Sequence, residues 1–296
     1  MNSHRGFVAV VGRPNVGKST LVNALAGDKA SIVSHRRQTT RGVVRVICRR
    51  DDAQWAVLDS PGWQTRHGGT LNKRLNAGAE WAAGVADVVI FMSAAPIWTD
   101  EDTAFLQRLP AEAKVVAAVN KVDLATDKGL LLPYVDALRE RRDFAAIVPL
   151  CARRRRGMDA LVTEVSLLLS ESPALFDRND VEDEAFFLAE LLREKVFRAL
   201  GDELPYCIGV IAHRTGKRGR AEVVMAEIFV ERDSQKAIVI GAGGVTLKQL
   251  AAAARQDMER VLNAKVYLTV RVKVAPAWQT DQQLLRKMRI GVPELI

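Results

Sequence analysis

The sequence predicts an α/β domain with a mostly parallel six-stranded sheet, followed by a smaller α+β domain. Strand and helix patterns alternate from residue 6 to residue 170, an order that requires parallel strands covered by helices on both faces. Three polar loops each follow a strand, at the edge where such sheets bind ligands. The pattern changes near residue 185, where an amphipathic helix and alternating strands begin. These three observations define the predicted class.

Length and composition agree with two domains. The chain has 296 residues, which is about twice the length of a typical domain. We predict domains at residues 1–170 and 183–296, joined by a polar linker over residues 171–182. No apolar run approaches the roughly 18 residues of a membrane span, and the segment before Phe7 is too short and polar for a signal peptide. We therefore expect a cytoplasmic protein.

The charge of the chain indicates its kind of partner. The formal net charge is +8 and the sequence pI is about 9.6, which favours an anionic partner, either nucleic acid or a membrane surface. The three cysteines, Cys48, Cys151 and Cys207, lack the spacing of a metal site and lie in or beside apolar segments. We expect them to be buried, reduced thiols.

The first polar loop, residues 12–19, has the spacing G-x-x-x-x-G-K-[ST] between a strand pattern and a helical pattern. In that context the loop N–H groups and the helix N-terminus face phosphate oxygens. Lys18 would reach the β- and γ-phosphates, and the Ser19 hydroxyl would bind Mg²⁺. The alternative is a glycine-rich turn that binds nothing. The candidate nucleotide contacts here are Gly12, Asn15, Val16, Gly17, Lys18, Ser19 and Thr20.

The second polar loop, residues 59–62, follows a strand predicted at residues 55–58. Asp59 would order the waters of Mg²⁺, and Gly62 would offer its backbone N–H to a γ-phosphate. The alternative is a plain β-turn, because Asp, Ser, Pro and Gly are all turn residues.

The third polar loop, residues 120–123, follows a buried strand predicted at residues 114–119. The Asp123 carboxylate could accept hydrogen bonds from N1–H and the N2 amino group of guanine, a donor pair that adenine lacks. Lys121 would lie along the base, and Asn120 would tie loops together. Taken alone this pattern is a common surface turn, but its position behind a phosphate-binding loop makes it specific.

The second half reads as a helix over 184–200, strands over 206–212, 222–231 and 236–240, the turn G-A-G-G at residues 241–244, a helix over 245–262 and a strand over 265–274. A basic, glycine-bearing loop is predicted at residues 213–220. The final segment, 282–290, has a helical pattern. The alternative for the G-x-x-G sequence is a tight turn without a ligand.

The three loop motifs resemble those of the G domain of a translation-factor-class GTPase, and residues 37–41 (RQTTR) resemble the switch I of the Era family. The second half resembles a type II KH domain. The Era resemblance covers residues 6 to about 290 and implies that Thr40, with Thr39 as runner-up, coordinates Mg²⁺ beside Ser19 and Asp59. It also places the fifth nucleotide motif at Cys151 and Ala152, where the family commonly has serine first, with the Ala152 N–H contacting guanine O6.

The resemblance implies hydrolysis of GTP to GDP and phosphate. The position after Gly62, where Ras-like GTPases orient the attacking water with Gln, holds Trp63, which cannot do so. Related GTPases with Asn at the position of Asn15 bind K⁺ there. We therefore expect slow intrinsic turnover that K⁺ stimulates, with Lys18, Thr40, Gly62 and Asn15 as the catalytic group. The alternative is that Asn15 only bonds within its loop.

KH domains clamp about four single-stranded nucleotides against the G-x-x-G turn. The candidate RNA contacts are Gly241, Ala242, Gly243, Gly244, Lys248, Arg214, Lys217 and Arg218. Family members commonly have Lys where this chain has Ala242, so one phosphate contact is lost and the salt dependence of binding would flatten by about one unit of slope.

The resemblance implies a monomeric GTPase switch that binds the 3′ end of 16S rRNA in the 30S subunit and acts in small-subunit maturation. Two other functions stay open at this point. One is a membrane-associated GTPase whose basic surface makes a peripheral contact with anionic lipid. The other is a non-enzymatic RNA-binding scaffold, against which the intact Lys18, Ser19, Asp59 and Asp123 argue.

Overall fold

The computed structural model describes residues 3–26, 41–50, 53–65, 69–124, 129, 131–172, 184–200 and 207–292. The chain divides into two compact units: unit 1 is Met1–Asp180 with Ile290–Ile296, and unit 2 is Val181–Arg289. The last residues therefore group with unit 1, whereas the sequence placed them in the second domain. Their described part is held there by a backbone hydrogen bond of 2.9 Å from Gly291 N to Arg41 O.

Unit 1 is an α/β domain, as predicted. Its strands are β1 (Ser3–Val11), β2 (Val44–Arg50), β3 (Ala53–Asp59), β4 (Val88–Ala94), β5 (Val115–Asn120), β6 (Ala146–Pro149) and β7 (Ser170–Ser172). Its helices are α1 (Lys18–Ala26), α2 (Thr70–Val85), α3 (Asp100–Leu106), α4 (Leu131–Arg139) and α5 (Met158–Leu168).

Six of these strands form the main sheet in the order β2-β3-β1-β4-β5-β6. All neighbours pair in parallel except β2, which is antiparallel to β3. The short β7 pairs antiparallel with the start of β1, and two of its residues, Glu171 and Ser172, were assigned to the linker by the sequence. The predicted mostly parallel six-stranded sheet is confirmed.

The apolar runs of β1, β4 and β5 are buried on both faces, as parallel strands covered by helices require. Along β1, Val8 and Val10 join one core cluster, whereas Ala9 and Val11 join the cluster on the opposite face. The parallel pairing sends the carboxyl ends of β1, β3 and β5 to the same sheet edge, where the three polar loops lie.

Unit 2 contains α6 (Glu184–Ala199), β8 (Gly209–Arg218), β9 (Ala221–Val230), α7 (Asp233–Ile240), α8 (Val245–Leu262), β10 (Lys265–Val274) and α9 (Gln282–Lys287). Its sheet has the order β10-β9-β8, with β8 antiparallel and β10 parallel to β9. This α+β architecture is the one predicted. Among the helices that the structure describes, none alone has the length and apolar composition of a membrane span. The bent pair Asp233–Ile240 and Ala242–Leu262 has that length and composition only when its two helices are taken together.

Two local predictions in unit 2 were wrong. The β-branched run at 236–240 is not a strand but part of α7, because the Gln235 side chain accepts hydrogen bonds from the N–H groups of Glu231 and Arg232 at the helix start. Within α7, Val239 is buried and Ile238 is 53% exposed, so one face is covered. The basic segment 213–220, predicted as a loop, extends β8 to Arg218 with an irregular register between Arg214 and Gly216.

The cysteines are free thiols. Cys48 and Cys151 are buried, as expected, and Cys207 is only half-buried.

Candidate functional sites

The phosphate-binding loop has the backbone that its glycines permit. Gly12 and Gly17 have φ values of 145° and 108°, which disfavour any side chain. A Cβ atom on Gly12 would lie 2.4 Å from Met92 O, and one on Gly17 would lie 2.4 Å from Asn120 Nδ2. Asn15 also has a positive φ, 66°, a conformation that Asn tolerates better than most residues. Both glycines are therefore required by packing as well as by the turn.

Lys18 is folded back over this loop. Its Nζ donates to Gly12 O and to Arg13 O, both at 3.0 Å, and the side chain is buried. Burial lowers its pKa to about 8, and the nearby Asp59 carboxylate opposes that shift. The ammonium is thus held where α1 begins, beside the loop N–H groups that would donate hydrogen bonds to phosphate oxygens. Elsewhere in the motif, Val16 is buried, whereas Thr20 is exposed on the first turn of α1.

The second polar loop packs directly on the first. Asp59 ends β3 and pairs in register with Val10 of β1, two residues before Gly12. Ser60 Oγ donates to Val10 O at 2.9 Å. A Cβ atom on Gly62 would lie 2.8 Å from Pro14, so only glycine allows this close approach between the loops.

Trp63 is anchored in the core directly after the second loop. Its ring is 2% exposed and stacks on Phe105 with centroids 5.2 Å apart. Its Nε1–H donates to Glu80 Oε1 at 2.9 Å, and the Arg108 guanidinium lies 5.3 Å from the ring centroid. The sequence indicated that Trp63 cannot position water, but it did not predict this anchor. Trp63 holds the segment after Gly62 against the core.

Asn120 joins the first loop to the fifth motif. Its Nδ2 donates to Val16 O at 2.7 Å, and its Oδ1 accepts from Ala152 N at 3.0 Å. The residue is 4% exposed, so these bonds are shielded from water. The predicted role of Asn120 as a tie between loops agrees with this geometry. The next residue, Lys121, has φ 63°, which turns the chain sharply toward Asp123.

Asp123 is held by two neighbours from the fifth motif. A side-chain interaction with the Cys151 thiol makes the largest contribution to lowering the pKa of Asp123. Arg154 Nε lies 3.5 Å from Asp123 Oδ2 and acts in the same direction. Burial, followed by this interaction with Asp123, raises the pKa of the Cys151 thiol, which keeps it protonated as a donor. A cysteine can thus serve at this position.

A further pair behind the first loop was not predicted. Arg13 Nε donates to Asp102 Oδ2 at 2.9 Å, and Asp102 is fully buried. Asp102 Oδ2 also accepts from Thr99 N at 2.9 Å, within the capping box that starts α3. The sequence signal was present as Thr-x-x-Asp before a helix. What it could not show is that this helix start lies beside the phosphate-binding loop.

The switch I residues Thr39 and Thr40 lie outside the described residues. In the described part of the chain no group of three or more His, Cys, Asp or Glu could hold a metal ion unaided. The donors that remain, the Ser19 hydroxyl and the Asp59 carboxylate, are hard oxygen ligands at one sheet edge. They suit Mg²⁺, which typically takes one or two protein ligands and completes its shell with waters and substrate phosphates.

In unit 2 the G-x-x-G turn links α7 to the N-terminus of α8. Gly241, Gly243 and Gly244 have φ values of 73°, 59° and 79°. A Cβ atom on Gly241 would lie 2.1 Å from Thr246 Oγ1, whereas Gly243 and Gly244 have no described atom within 4 Å of that position. Ala242 and Lys248 are exposed. The turn therefore presents bare backbone to solvent, as a phosphate contact requires.

The other three predicted RNA contacts lie on β8. Arg214 is paired with Glu184 at 3.0 Å and Glu222 at 3.4 Å, and Lys217 is paired with Glu222 at 3.2 Å. Arg218 lies instead over the ring of Tyr267, 5.0 Å from its centroid. Glu222 therefore offsets the first two cations, whereas Arg218 keeps its charge beside an aromatic ring.

Unit 1 and unit 2 together define a class: a P-loop GTPase domain with a guanine-reading motif, joined to a KH-type unit. A family model described as a 50S ribosome-binding GTPase matches residues 7–121, and a KH domain model matches residues 203–279. The GTPase Era of Bordetella petrii is 40% identical over 285 residues and that of Stenotrophomonas maltophilia K279a is 42% identical over 286, in both cases across 96% of each chain. The chain belongs to the Era family of GTPases.

Two solved structures resemble the whole chain. A crystal structure of a point variant of Aquifex aeolicus Era bound to GDP·AlF₄⁻ has a TM-score of 0.89 and 32% identity over 97% of this chain and 99% of that chain. A crystal structure of Era in complex with MgGDPNP and nucleotides 1506–1542 of 16S ribosomal RNA has a TM-score of 0.90 and 32% identity over 98% and 99%. The predicted Era resemblance is confirmed.

Proposed function

We propose that this GTPase is a molecular switch that binds the 3′ end of 16S rRNA through unit 2 and acts in maturation of the small ribosomal subunit, as a cytoplasmic monomer. The observation that carries the nucleotide part is the convergence of three loops at one sheet edge. Asn120 of the third loop bonds to Val16 of the first loop and to Ala152 of the fifth motif, and Gly62 of the second loop packs on Pro14 of the first. The exposed G-x-x-G turn and the 16S rRNA bound in a related structure support the RNA part.

Each loop has a distinct task in the proposed site. The loop N–H groups and Lys18 bind the β- and γ-phosphates, and Asp123 reads the guanine edge with support from Cys151. Ser19 and Asp59 would hold Mg²⁺, which neutralises charge on the phosphates when bound. Gly62, fixed against Pro14, would offer its N–H to the γ-phosphate. Related structures that contain MgGDPNP and GDP·AlF₄⁻ support this assignment.

Hydrolysis requires a group that replaces the missing glutamine, since Trp63 is buried against Phe105. We propose that a K⁺ ion held by Asn15 supplies the positive charge, because Asn15 is exposed at the tip of the loop with its backbone already in a left-handed turn. Turnover should therefore be faster in K⁺ than in Na⁺ at equal ionic strength. Asn15→Gly accommodates the positive φ but removes the side-chain carbonyl, so the turnover of this variant should be the same in K⁺ and in Na⁺. Equal turnover of the unaltered protein in both salts would exclude the K⁺ site.

The direct test of the switch measures RNA affinity in two nucleotide states. A single-stranded copy of the 3′ end of 16S rRNA is titrated at fixed salt with the protein bound to a non-hydrolysable GTP analogue or to GDP. We expect tighter binding with the analogue, because a γ-phosphate orders the switch segments. Equal affinity in the two states would separate RNA binding from the nucleotide cycle. Absence of binding would remove the RNA part of the proposal.

The net charge of +8 also favours the rival function at a membrane surface. Vesicles that contain anionic lipid would distinguish the two. Salt-sensitive vesicle binding that RNA does not compete away would support the membrane function, whereas binding to neutral and anionic vesicles at the same background level would exclude it.

A further inference from the structure

The three-stranded sheet of unit 2 has a face that the helices do not cover. Burial alternates along the central strand: Val224, Ala226 and Ile228 are at most 2% exposed, whereas Val223 and Met225 are half-buried. The edge strand β10 follows the same rule, with buried residues at 266 and 272 and exposed residues at 265, 267, 271 and 273. Every second residue along these strands therefore faces the core, and the residues between them form an open face of the sheet.

The register defines the rows of this face. Tyr267 lies beside Val223, Thr269 beside Met225, and Arg271 beside Glu227. One end of the face is closed, because a Cβ atom on Gly209 would lie 2.4 Å from Met288 and 3.2 Å from Trp278. The remaining rows lead to the β8–β9 turn, where Arg218 pairs with Ala221. We call Arg218, Val223, Met225, Tyr267, Thr269 and Arg271 the Tyr267 face.

Tyr267 is the main feature of this face. It is 49% exposed, and the Arg218 guanidinium lies 5.0 Å from its ring centroid. The residue therefore presents aromatic surface to solvent on a regular strand. An aromatic ring with an adjacent guanidinium is the arrangement that stacks on unpaired nucleic-acid bases.

Basic side chains outnumber acidic ones around Tyr267. Among the described residues, Arg220 and Arg271 have no acidic group within ion-pair distance. Glu227, a carboxylate beside Arg271 in the strand register, is paired with Lys273 at 2.5 Å. The opposite edge differs, because Glu222 there binds both Arg214 and Lys217. The Tyr267 face thus combines one exposed ring with excess positive charge.

From this combination we infer that the Tyr267 face is a second RNA contact, separate from the G-x-x-G turn. An unpaired base stacks on Tyr267 beside Arg218, and the flanking phosphates lie against Arg220 and Arg271. RNA is favoured over a protein partner because the surplus is of positive charge around a single ring rather than an apolar patch. The inference rests on the proposed RNA function and deepens it by adding a second binding surface.

The test compares two RNAs on the full chain with the GTP analogue bound. The short RNA is a single strand of about six nucleotides, enough for the roughly four-nucleotide G-x-x-G clamp. The long RNA is nucleotides 1506–1542 of 16S rRNA, the fragment bound in the related structure. Tyr267→Ala should weaken binding of the long RNA on the order of tenfold and leave the short RNA unchanged, because one stacked base is lost. Tyr267→Phe should retain wild-type affinity for both.

A charge-matched control is Arg260→Ala. It removes one exposed cation near the C-terminal end of α8, where Arg260 pairs with Asp257. Arg260→Ala should leave the affinities for both RNAs close to wild type. Arg271→Ala should weaken binding of the long RNA and reduce the slope of log K against log salt by about 0.7. Ultraviolet cross-linking of the long RNA should label the peptide that contains Tyr267.

Several outcomes would overturn the inference. Equal binding of both RNAs by Tyr267→Ala and wild type, or a cross-link only at the G-x-x-G turn, excludes the second contact and leaves the proposed function intact. Equal losses from Arg260→Ala and Arg271→Ala would show a diffuse charge effect in place of a defined contact. If the wild-type protein binds neither RNA, the proposed function fails together with the inference.

Discussion

Asp123 shows how neighbouring side chains position the carboxylate that we propose reads the guanine edge. Its carboxylate is fixed by the Cys151 thiol and by Arg154, and its pKa is lowered, so it is ionised at neutral pH. Cys151 stands where the family resemblance leads us to expect a serine, and its thiol can supply a hydrogen-bond donor at the same position. Burial and the interaction with Asp123 both raise the pKa of this thiol, so it stays protonated well above neutral pH.

Asp123→Asn should weaken GTP binding roughly a hundredfold, because hydrogen bonds to a charged group contribute about 1.5–3 kcal/mol each. The variant should gain affinity for xanthosine triphosphate, whose C2 oxygen needs a donor. Titration with fluorescent nucleotides measures both effects. Asp136→Asn, an exposed carboxylate paired with Arg139 on α4, is the matched control. Unchanged GTP affinity in Asp123→Asn would contradict the assignment of Asp123.

The lowered pKa of Lys18 predicts that nucleotide binding depends on pH. Burial lowers its pKa to about 8 in the free protein, and phosphate oxygens would restore the charged form. The free protein loses this proton as the pH rises through 8, whereas the complex keeps it. Binding above that pH must therefore take up a proton, and affinity should fall as the pH rises further.

Calorimetry in two buffers with different heats of ionisation measures this proton directly. At about pH 8.5 the apparent heats should differ between the buffers, and at about pH 7 they should nearly agree, because Lys18 is then charged in both states. Equal heats at the higher pH would show that Lys18 keeps its proton in the free protein.

At the scale of elements, α7 and the G-x-x-G turn show where local sequence and tertiary structure disagree. The run at 236–240 favours a strand by composition, yet it is helical, because Gln235 caps the helix start and Val239 is buried on one face of the helix. The helix ends at Gly241, whose φ of 73° allows the turn. The turn was therefore located correctly from sequence, although the element before it was not.

Ala242→Lys should add a phosphate contact at this turn. Ala242 is exposed, so a lysine fits without disturbing packing. RNA affinity should rise, and the slope of log K against log salt should steepen by about 0.7 to 1. The measurement is a set of RNA titrations at several salt concentrations. Ala252→Lys, an exposed position farther along α8, is the control for added charge. An equal change of slope in both variants would show that the turn has no special role.

For the whole molecule, thermodynamic linkage gives the strictest prediction. If the GTP analogue increases the affinity for RNA by some factor relative to the nucleotide-free protein, RNA must increase the affinity for the analogue by the same factor. Nucleotide titrations with and without saturating RNA measure the second factor. In a Lys18→Ala variant, RNA affinity should no longer respond to the nucleotide. Unequal factors would show that the two preparations differ in more than the bound ligand.

Local sequence patterns were sufficient to predict the mostly parallel sheet, the positions of the three loops and the family. Fixed spacing between a strand and a helix makes a phosphate-binding loop recognisable, and apolar runs of strand length identify strands buried on both faces. The same local information predicted the tie made by Asn120. It was sufficient because these features depend on neighbours in sequence and on the shared direction of parallel strands.

Contacts between groups that are distant in sequence could not be predicted, because they depend on how the elements pack. Three contacts join separate elements. Arg13 pairs with Asp102, and Trp63 packs on Phe105 and donates to Glu80. The Cys151 thiol interacts with the Asp123 carboxylate. The half-exposed ring of Tyr267 likewise became visible only when strand register assigned it to the open face. Periodicity shows that a residue alternates between two faces, but which face is covered depends on packing between elements.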